Sequence, residues 1–221
     1  MEDKYYKYFN KAILSGILIS ISAYFYSTLG GSILGALLFS FGLIAIVHYR
    51  LFIFTGTAGF VESEDEVNTL LGILLGNVIG CFASACVLYF CADSSTQLTF
   101  IENAIKTRTI EGSLYDIIRI AFRALMCGII MTVAVKFARK GLERGLAYFL
   151  PLLLGVPIFL LSGFFHSIVD AFYISYGIIH GLPIFSTFDG AMTVIVSWFF
   201  VVFGNFIGCN IPRLTLFELK A

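Results

Sequence analysis

The chain has 221 residues, of which 59% are hydrophobic and only 13% are charged, whereas about 25% of the residues of a typical soluble domain are charged. So little polar surface cannot cover a water-exposed globule, which excludes a soluble enzyme, a disordered chain and a nucleic-acid-binding protein. The 14 Lys and Arg residues balance the 14 Asp and Glu residues, so the total charge indicates no polyanionic partner.

Long runs without a charged residue predict membrane helices, because about 20 apolar residues cross the hydrocarbon core of a bilayer. The runs without Asp, Glu, Lys or Arg are 12–49, 67–92, 145–169, 171–188 and 190–212. We predict an all-α membrane protein, one integral-membrane domain over residues 1–221. Its six transmembrane segments lie at about 12–28, 32–60, 68–91, 115–138, 146–181 and 186–211.

The second and fifth segments are too long for one straight helix. A single helix over residues 146–181 would run about 54 Å, nearly twice the thickness of the hydrocarbon core. We expect breaks over Ile53–Gly59 in segment two and at Gly155, Pro157 and Ser162-Gly163 in segment five. Non-helical backbone persists at membrane depth only where it is buried or lines a cavity. The two breaks therefore indicate a transport pathway.

The fourth segment carries two arginines into the membrane. Arg119 and Arg123 lie four residues apart, so a helix places both on one face, together with Asp116. Arg119 is interpreted as a side chain that reaches the headgroups from a helix end. Arg123 lies deeper, so both this interpretation and a pore-facing role remain open for it.

Basic residues of the short loops predict the orientation of the bundle. With six spans, most of them fall on the side of both termini. This set is Lys4, Lys7, Lys11, Arg50, Lys136, Arg139, Lys140, Arg144, Arg213 and Lys220. The positive-inside rule then places both termini in the cytoplasm of a multi-pass protein of the cell membrane, inner or plasma.

A short motif occurs twice. Gly76-Asn77-Val78-Ile79-Gly80-Cys81 recurs as Gly204-Asn205-Phe206-Ile207-Gly208-Cys209. Its glycines allow helices to approach closely, and each asparagine either supports a break or serves helix packing alone. Three spans per half give the halves opposite orientations. We therefore predict two inverted three-helix repeats, over about 11–92 and 112–212, with a pore at their interface.

These motifs resemble the formate/nitrite transporter family of pentameric anion channels. The matching pieces are Leu38–Ile44, Phe54-Thr55-Gly56-Thr57, the two Gly-Asn-x-Ile-Gly motifs and Ser162–Phe172. The resemblance covers most of the chain. It implies the aquaporin-like fold of that family, with spans two and five broken by loops. It also implies a homopentamer in the lipid bilayer that takes a small anionic substrate.

The resemblance also implies a role for each matched residue. His166 is the histidine of the pore centre, Thr55 is its partner on the opposing loop, and Asn77 and Asn205 support the loops. The apolar constrictions are formed by Phe39, Leu43, Ile53, Phe54 and Phe159. Arg108, or else Lys106, takes the place of the base that draws anions into the outer vestibule, in a basic group that also includes Arg119 and Arg123.

Three positions depart from the family pattern. Phe165 stands where the family has Glu, and Ala124 aligns with a pore-proximal Asn. Asp170 replaces the Asn four residues after the histidine, which places a carboxylate on the same helix face, at the pore centre. Since an unpaired carboxylate there would repel an anionic substrate, we consider Arg123 as its partner.

We expect a channel or a proton-coupled facilitator for a small monovalent weak-acid anion such as formate, nitrite, hydrosulfide or a short carboxylate. An apolar constriction strongly disfavours the bare anion. The anion is therefore expected to take up a proton, cross as the neutral acid and release the proton on the far side. His166 either relays this proton or supplies a hydrogen bond.

Two other functions are weighed against this one. A pore for a neutral solute such as water, urea or ammonia is the alternative, although the sequence lacks the paired Asn-Pro-Ala loops of water channels. A membrane-embedded cofactor enzyme is remote, because three scattered His and five Cys show no spacing typical of metal or haem ligands. We therefore expect no enzyme activity, no cofactor and no metal.

Overall fold

The computed structural model describes residues 2–60, 63–91, 94–140 and 148–215, and within them the chain is helical. The helices are α1 Glu2–Thr28, α2 Ile33–His48, α3 Phe54–Thr57, α4 Glu64–Leu88, α5 Ser95–Thr107, α6 Leu114–Lys140, α7 Leu150–Leu161, α8 Ser167–Ile179 and α9 Phe188–Thr215. Short 3₁₀ turns occur at Ala58–Phe60 and Pro183–Phe185.

The four long helices of the described part have the length and composition of membrane spans. They cover Tyr8–Thr28 of α1, Asp65–Leu88 of α4, Leu114–Arg139 of α6 and Phe188–Thr215 of α9. Large apolar side chains on the helix surfaces are exposed, among them Phe41, Phe122 and Phe203. Such wide apolar surface is rare on a soluble monomer and suits contact with lipid, so the predicted all-α membrane class is confirmed.

The second and fifth segments each consist of two short helices, and the predicted breaks are confirmed in part: Ser162-Gly163 lies in the break of segment five, whereas Gly155 and Pro157 lie within α7 and residues 54–59 are helical. In segment two the irregular backbone covers residues 49–53, and Phe54–Thr57 is helical. In segment five, α7 runs through Gly155 and Pro157 and ends at Leu161. Each break contains one left-handed residue, Arg50 at φ 52° and Gly163 at φ 68°. A left-handed residue ends a helix regardless of the glycines around it.

Helix α5 lies in the long connection that we expected to be a loop. Its N-cap is Ser94, whose side chain accepts a hydrogen bond from the backbone N–H of Gln97. A Ser followed three residues later by Gln is a helix-start signature, so the sequence contained the signal. The Gln97 side chain also donates to the hydroxyl of Ser27 at 3.2 Å. This contact places α5 over the α1–α2 turn, at the end of the bundle that we call the α5 face.

The opposite end of the bundle is the terminal face, where α1 begins and α9 ends. There Lys11 of α1 donates to the Arg50 carbonyl at 3.3 Å. The Asn210 side chain of α9 donates to the Ala58 carbonyl at 3.2 Å. Arg144 and Lys220, which we counted for the orientation, lie outside the described residues, as do the side chains of Lys4, Lys7 and Lys140. The cytoplasmic placement of this face remains a prediction.

Long helices pack in two close pairs, α1 with α4 and α6 with α9. A Cβ added to Gly80 would overlap the carbonyl oxygen of Ile13, and a Cβ added to Gly208 would overlap that of Leu125. The repeated glycines therefore bring backbones into direct contact. A long helix, a broken segment and a long helix occur in this order twice in the described part. The inverted symmetry of the two halves remains a prediction.

We expect Gly208→Ala to lower the stability of the α6–α9 pair by about 1–3 kcal/mol, the usual cost of overpacking. The reason is that the obstructing atom belongs to the Leu125 backbone, which cannot rotate away. Thermal unfolding in detergent measures the effect. Gly155→Ala is the control, since its Cβ would approach only side-chain atoms, of Ala134 at 3.2 Å and of Ile130 at 3.5 Å. Equal melting temperatures for the two variants would contradict the prediction.

Candidate functional site

Asn77 of α4 holds the break of segment two. Its side-chain carbonyl accepts a hydrogen bond from the backbone N–H of Phe54 at 2.8 Å, the first residue of α3. Its amide group donates to the carbonyl of Phe52 at 3.0 Å and to that of Ala12 on α1 at 2.8 Å. The Asn77 side chain is fully buried. One side chain therefore satisfies three backbone groups where the helix is interrupted.

Asn205 of α9 holds the break of segment five in the same manner. Its side-chain carbonyl accepts from the N–H of Ser167 at 2.8 Å, the first residue of α8. Its amide group donates to the carbonyls of Phe165 at 2.9 Å and of Ala124 on α6 at 2.7 Å. The two asparagines thus have matching partners in the two halves. This arrangement favours the loop-supporting interpretation over simple helix packing.

The two breaks meet at a hydrogen bond between Thr55 and His166. The Thr55 hydroxyl lies 2.8 Å from Nε2 of His166. Thr55 belongs to α3, and His166 is the N-cap residue of α8. Both side chains are buried. The structure therefore brings together the two residues that the sequence placed at the pore centre.

The hydrogen bond at Nδ1 of His166 determines which ring nitrogen carries the proton. Nδ1 lies 3.4 Å from the backbone N–H of Val169 and accepts its hydrogen bond. A nitrogen that accepts cannot carry the proton of a neutral imidazole. The hydrogen-bond network therefore assigns the proton to Nε2, which donates to the Thr55 hydroxyl. The Thr55 O–H remains available to donate to a further partner.

Apolar side chains enclose this polar pair. The Phe159 ring stacks on the His166 ring with centroids 5.5 Å apart, and the Phe39 ring meets Phe159 edge-on at 6.2 Å. The remaining predicted constriction residues, Leu43, Ile53 and Phe54, are buried in the same core. All five predicted constriction residues are therefore buried in one apolar core.

Asp170 pairs with Arg108, and our prediction of Arg123 as its partner is wrong. The Arg108 Nε lies 2.7 Å from Asp170 Oδ1, with side-chain exposures of 18% and 3%. Arg108 follows α5, and its Nη1 also donates to the Ala104 carbonyl at 2.7 Å. The sequence could not indicate this pair, because α5 was expected to be a loop and its end brings Arg108 over α8.

Arg123 contacts an aromatic ring instead. Its guanidinium carbon lies 5.5 Å from the centroid of Phe165, and that of Arg108 lies 4.6 Å from the same ring. Both distances suit cation–π attraction. Phe165 is 1% exposed. The residue that departs from the family pattern therefore serves as an uncharged partner for two guanidinium groups.

The other predicted basic residues lie apart from this centre. Lys106 pairs with Glu102 at 2.7 Å on the exposed side of α5. Arg119 donates to the Thr107 carbonyl at 3.0 Å and lies 3.6 Å from an oxygen of Asp116. Of the two candidates for the vestibule base, the structure therefore places Arg108 near His166 and Lys106 away from it.

Sequence reasoning left out a small cavity beside Asp170, with a largely apolar lining. It has a volume of about 10 Å³, close to the least that holds one water molecule. Its lining includes Arg108, Thr109, Asp170, Tyr173 and Trp198. Asp170 Oδ1 is held by the ion pair with Arg108, whereas Asp170 Oδ2 and the hydroxyl of Tyr173 are buried without a hydrogen-bond partner among the described residues. No sequence motif marks these residues, because helices distant in the chain bring them together.

The described residues include no group of three or more His, Cys, Asp and Glu that could hold a metal ion. The cysteines Cys81 and Cys209 instead direct their thiols at the two breaks. Cys209 Sγ lies 3.2 Å from the Thr55 carbonyl, and Cys81 Sγ lies 3.4 Å from the Ile168 carbonyl. The repeated motif thus contributes a second polar contact beside each break.

Comparison with known proteins identifies similar sequences and folds. The formate/nitrite transporter family model matches residues 1–216. A structure described as a pentameric formate channel with formate bound superposes with a TM-score of 0.81 at 21% identity, covering 99% of this chain and 98% of that one. A structure described as an FNT family ion channel gives a TM-score of 0.74 at 16% identity, covering 93% and 86%. No curated protein matches the sequence.

We expect Asn205→Ala to destabilise the protein strongly. The substitution leaves the Ser167 N–H and the Phe165 and Ala124 carbonyls without their partner, at a cost of about 1–3 kcal/mol for each buried group. Thermal unfolding and size-exclusion chromatography in detergent measure the loss. Asn103→Ala, an exposed site on α5, is the matched control. If both variants melt together, Asn205 does not hold the break.

Proposed function

Because the chain belongs to the formate/nitrite transporter family, we propose that it is a membrane channel or proton-coupled facilitator for a small monovalent weak-acid anion. The substrate class comprises formate, nitrite, hydrosulfide and short carboxylates. The Thr55–His166 hydrogen bond is the single observation that carries this proposal. It is a polar contact at 2.8 Å where two broken segments meet, enclosed by aromatic rings. One of the similar structures is a formate channel with formate bound.

Dehydration determines the form in which the substrate crosses. Removing a carboxylate-sized ion from water into an apolar passage costs several kcal/mol even after relaxation, whereas the neutral acid is far less penalised. Phe39 and Phe159 supply the apolar walls of the passage. The substrate anion therefore takes up a proton before the constriction, crosses as the neutral acid and releases the proton beyond it.

His166 serves this passage as a hydrogen-bond donor. Its Nδ1 accepts from the N–H of Val169 at the start of α8, so protonating Nδ1 would remove a helix cap. An imidazolium there would also face the positive end of the α8 dipole. Both effects favour the neutral ring over a proton relay. The Nε2–H then donates to Thr55 or, during passage, to an oxygen or sulfur of the substrate.

Basic residues at the terminal face supply the second entrance. A cavity of about 340 Å³ there is lined by Val47, Arg50, Leu51, Phe52 and Arg139. Two guanidinium groups at a pore mouth raise the local concentration of anions. By the positive-inside rule this face is cytoplasmic and the α5 face is the outer one. By analogy with the pentameric channel it resembles, the chain assembles as a homopentamer.

Flux into proteoliposomes of purified protein tests the function. Formate, nitrite, hydrosulfide and urea are offered in turn, while a trapped dye follows internal pH and a second dye follows membrane potential. Entry as the neutral acid acidifies the interior and leaves the potential unchanged. Entry of the bare anion would change the potential without acidification. Urea flux without weak-acid flux would contradict the proposal and establish the neutral-solute pore.

We expect His166→Asn to reduce weak-acid flux by at least about tenfold, the loss of roughly one transition-state hydrogen bond. Asparagine can still cap α8 but does not reach as far as Nε2. Because a neutral donor does not titrate, flux should keep its dependence on external pH in the variant. The measurement is initial flux between about pH 5 and 8, the range over which an ordinary histidine titrates.

Two further variants complete this test. Thr55→Val removes the hydroxyl at nearly constant volume and should lower flux as His166→Asn does, while Thr55→Ser should retain it. His180→Asn is the control, because His180 stacks on Tyr176 at the α5 end of α8 and not on a constriction residue. A pH profile flattened by His166→Asn alone would show that the histidine relays the proton.

A further inference from the structure

We infer that Asp170 is a specificity-determining residue of this pore. Its ion pair with Arg108 cancels the positive charge at the α5-face entrance, and its free oxygen accepts a hydrogen bond from a protonated substrate. The pore therefore favours acids that ionise near neutral pH, such as hydrogen sulfide, over formic and nitrous acids. This inference rests on the proposed function.

The ion pair lies one turn of α8 from His166, toward the α5 face. Asp170 lies one helical turn after His166 on α8, and its backbone N–H donates to the His166 carbonyl at 2.9 Å. Arg108 reaches this point from the end of α5, with its Nε 2.7 Å from Asp170 Oδ1. A substrate that moves from the α5 face to His166 therefore passes a carboxylate together with the guanidinium.

The ion pair between Arg108 and Asp170 changes how strongly the α5-face entrance attracts anions. Two opposite charges in contact largely cancel at distances greater than their separation, so Arg108 contributes little to the attraction of anions. Arg119 lies beside Asp116, so its charge is also largely paired. Arg123 packs on Phe165 and keeps its charge, so the charge that Asp170 removes from the entrance is that of Arg108. Tyr173 and Trp198, which also line the approach, bring no cation.

Oδ2 of Asp170, which lies outside the ion pair, adds a preference for neutral acids over anions. Asp170 is 97% buried at its side chain, since only 3% is exposed, and its Oδ2 has no hydrogen-bond partner among the described residues. It lines the cavity of about 10 Å³ between Arg108, Tyr173 and Trp198. A carboxylate only accepts hydrogen bonds. It therefore binds the O–H or S–H of a neutral acid and repels the corresponding anion.

Acid strength converts this preference into substrate selectivity. At neutral pH, hydrogen sulfide is present in comparable amounts as neutral acid and as hydrosulfide, whereas formic and nitrous acids are almost wholly ionised. A strongly positive entrance would compensate for the scarcity of the neutral forms by collecting the anions nearby. An entrance in which Asp170 cancels the Arg108 charge cannot collect these anions in the same way. It therefore favours acids that are already partly neutral in the bulk solution.

The test is the ratio of formate to hydrosulfide flux in proteoliposomes at pH 7, measured for the parent and for Asp170→Asn. The variant keeps the shape and an acceptor oxygen but exposes the Arg108 charge. We expect the ratio to rise about tenfold at an ionic strength of about 0.01 M, within the range for electrostatic enrichment. The rise should shrink at about 0.15 M salt, because screening weakens it.

A double variant distinguishes an effect of charge on the flux ratio from an effect of altered side-chain geometry. Arg108→Gln with Asp170→Asn removes both charges, so its ratio should return to that of the parent. It also removes the risk that an unpaired guanidinium prevents folding. Asp189→Asn is the matched control, since it neutralises an exposed carboxylate at the same end of the bundle, at the start of α9, and should leave the ratio unchanged.

The outcomes are distinct. An unchanged ratio in folded Asp170→Asn overturns the inference, and so does a double variant that behaves like Asp170→Asn. An equal rise in Asp189→Asn would assign the effect to general surface charge and would also overturn it. If the parent passes none of formate, nitrite, hydrosulfide and a short carboxylate, the proposed function itself fails. A parent that passes one of the others but no hydrosulfide overturns the inference alone. Size-exclusion profiles matching that of the parent establish that each variant compared is folded.

Discussion

An interrupted helix inside a membrane leaves backbone groups that lipid cannot satisfy, and this constraint organises the whole molecule. The backbone groups of both interruptions are satisfied in the same way. Asn77 and Asn205 each satisfy one N–H and two carbonyls. Because each asparagine also bonds a third helix, it fixes the break relative to the bundle. Thr55 and His166 can therefore meet at 2.8 Å only because two distant side chains hold their backbones in place.

The residues around each asparagine add to this support and connect the halves. Gly80 and Gly208 bring the motif helices against α1 and α6. Cys81 then contacts the Ile168 carbonyl of the second half, while Cys209 contacts the Thr55 carbonyl of the first. Each motif thus holds its own break by the amide and the opposite break by the thiol. Such reciprocal contacts couple the two breaks mechanically, since a shift of one removes a contact at the other.

The membrane class and the approximate places of the interruptions follow from sequence, because burial in lipid requires long apolar runs and a 36-residue run cannot be one span. The exact breaks follow only in part, since Ser162-Gly163 lies in a break as predicted but Gly155, Pro157 and residues 54–59 do not. A glycine and a proline within α7 are tolerated, whereas the left-handed Arg50 ends its helix without any glycine. The partner of Asp170 was also beyond reach, since it depends on α5 carrying Arg108 across the bundle. Local sequence signals locate the helices, whereas contacts between residues distant in the chain, such as Arg108 and Asp170, become visible only in the folded structure.

Phe165 and Asp170 are best understood together. The resemblance aligned Phe165 with a carboxylate and Asp170 with an amide, so the family's acidic and neutral residues have exchanged places across His166. The carboxylate of this chain lies five residues later, in the first turn of α8, where it reaches Arg108. Position 165 instead holds a phenyl ring, which contacts two guanidinium groups and does not neutralise them. A buried cation needs compensation, and a ring supplies less of it than a carboxylate does. Asp170 therefore compensates Arg108 one turn from His166, whereas the ring beside His166 leaves Arg123 charged.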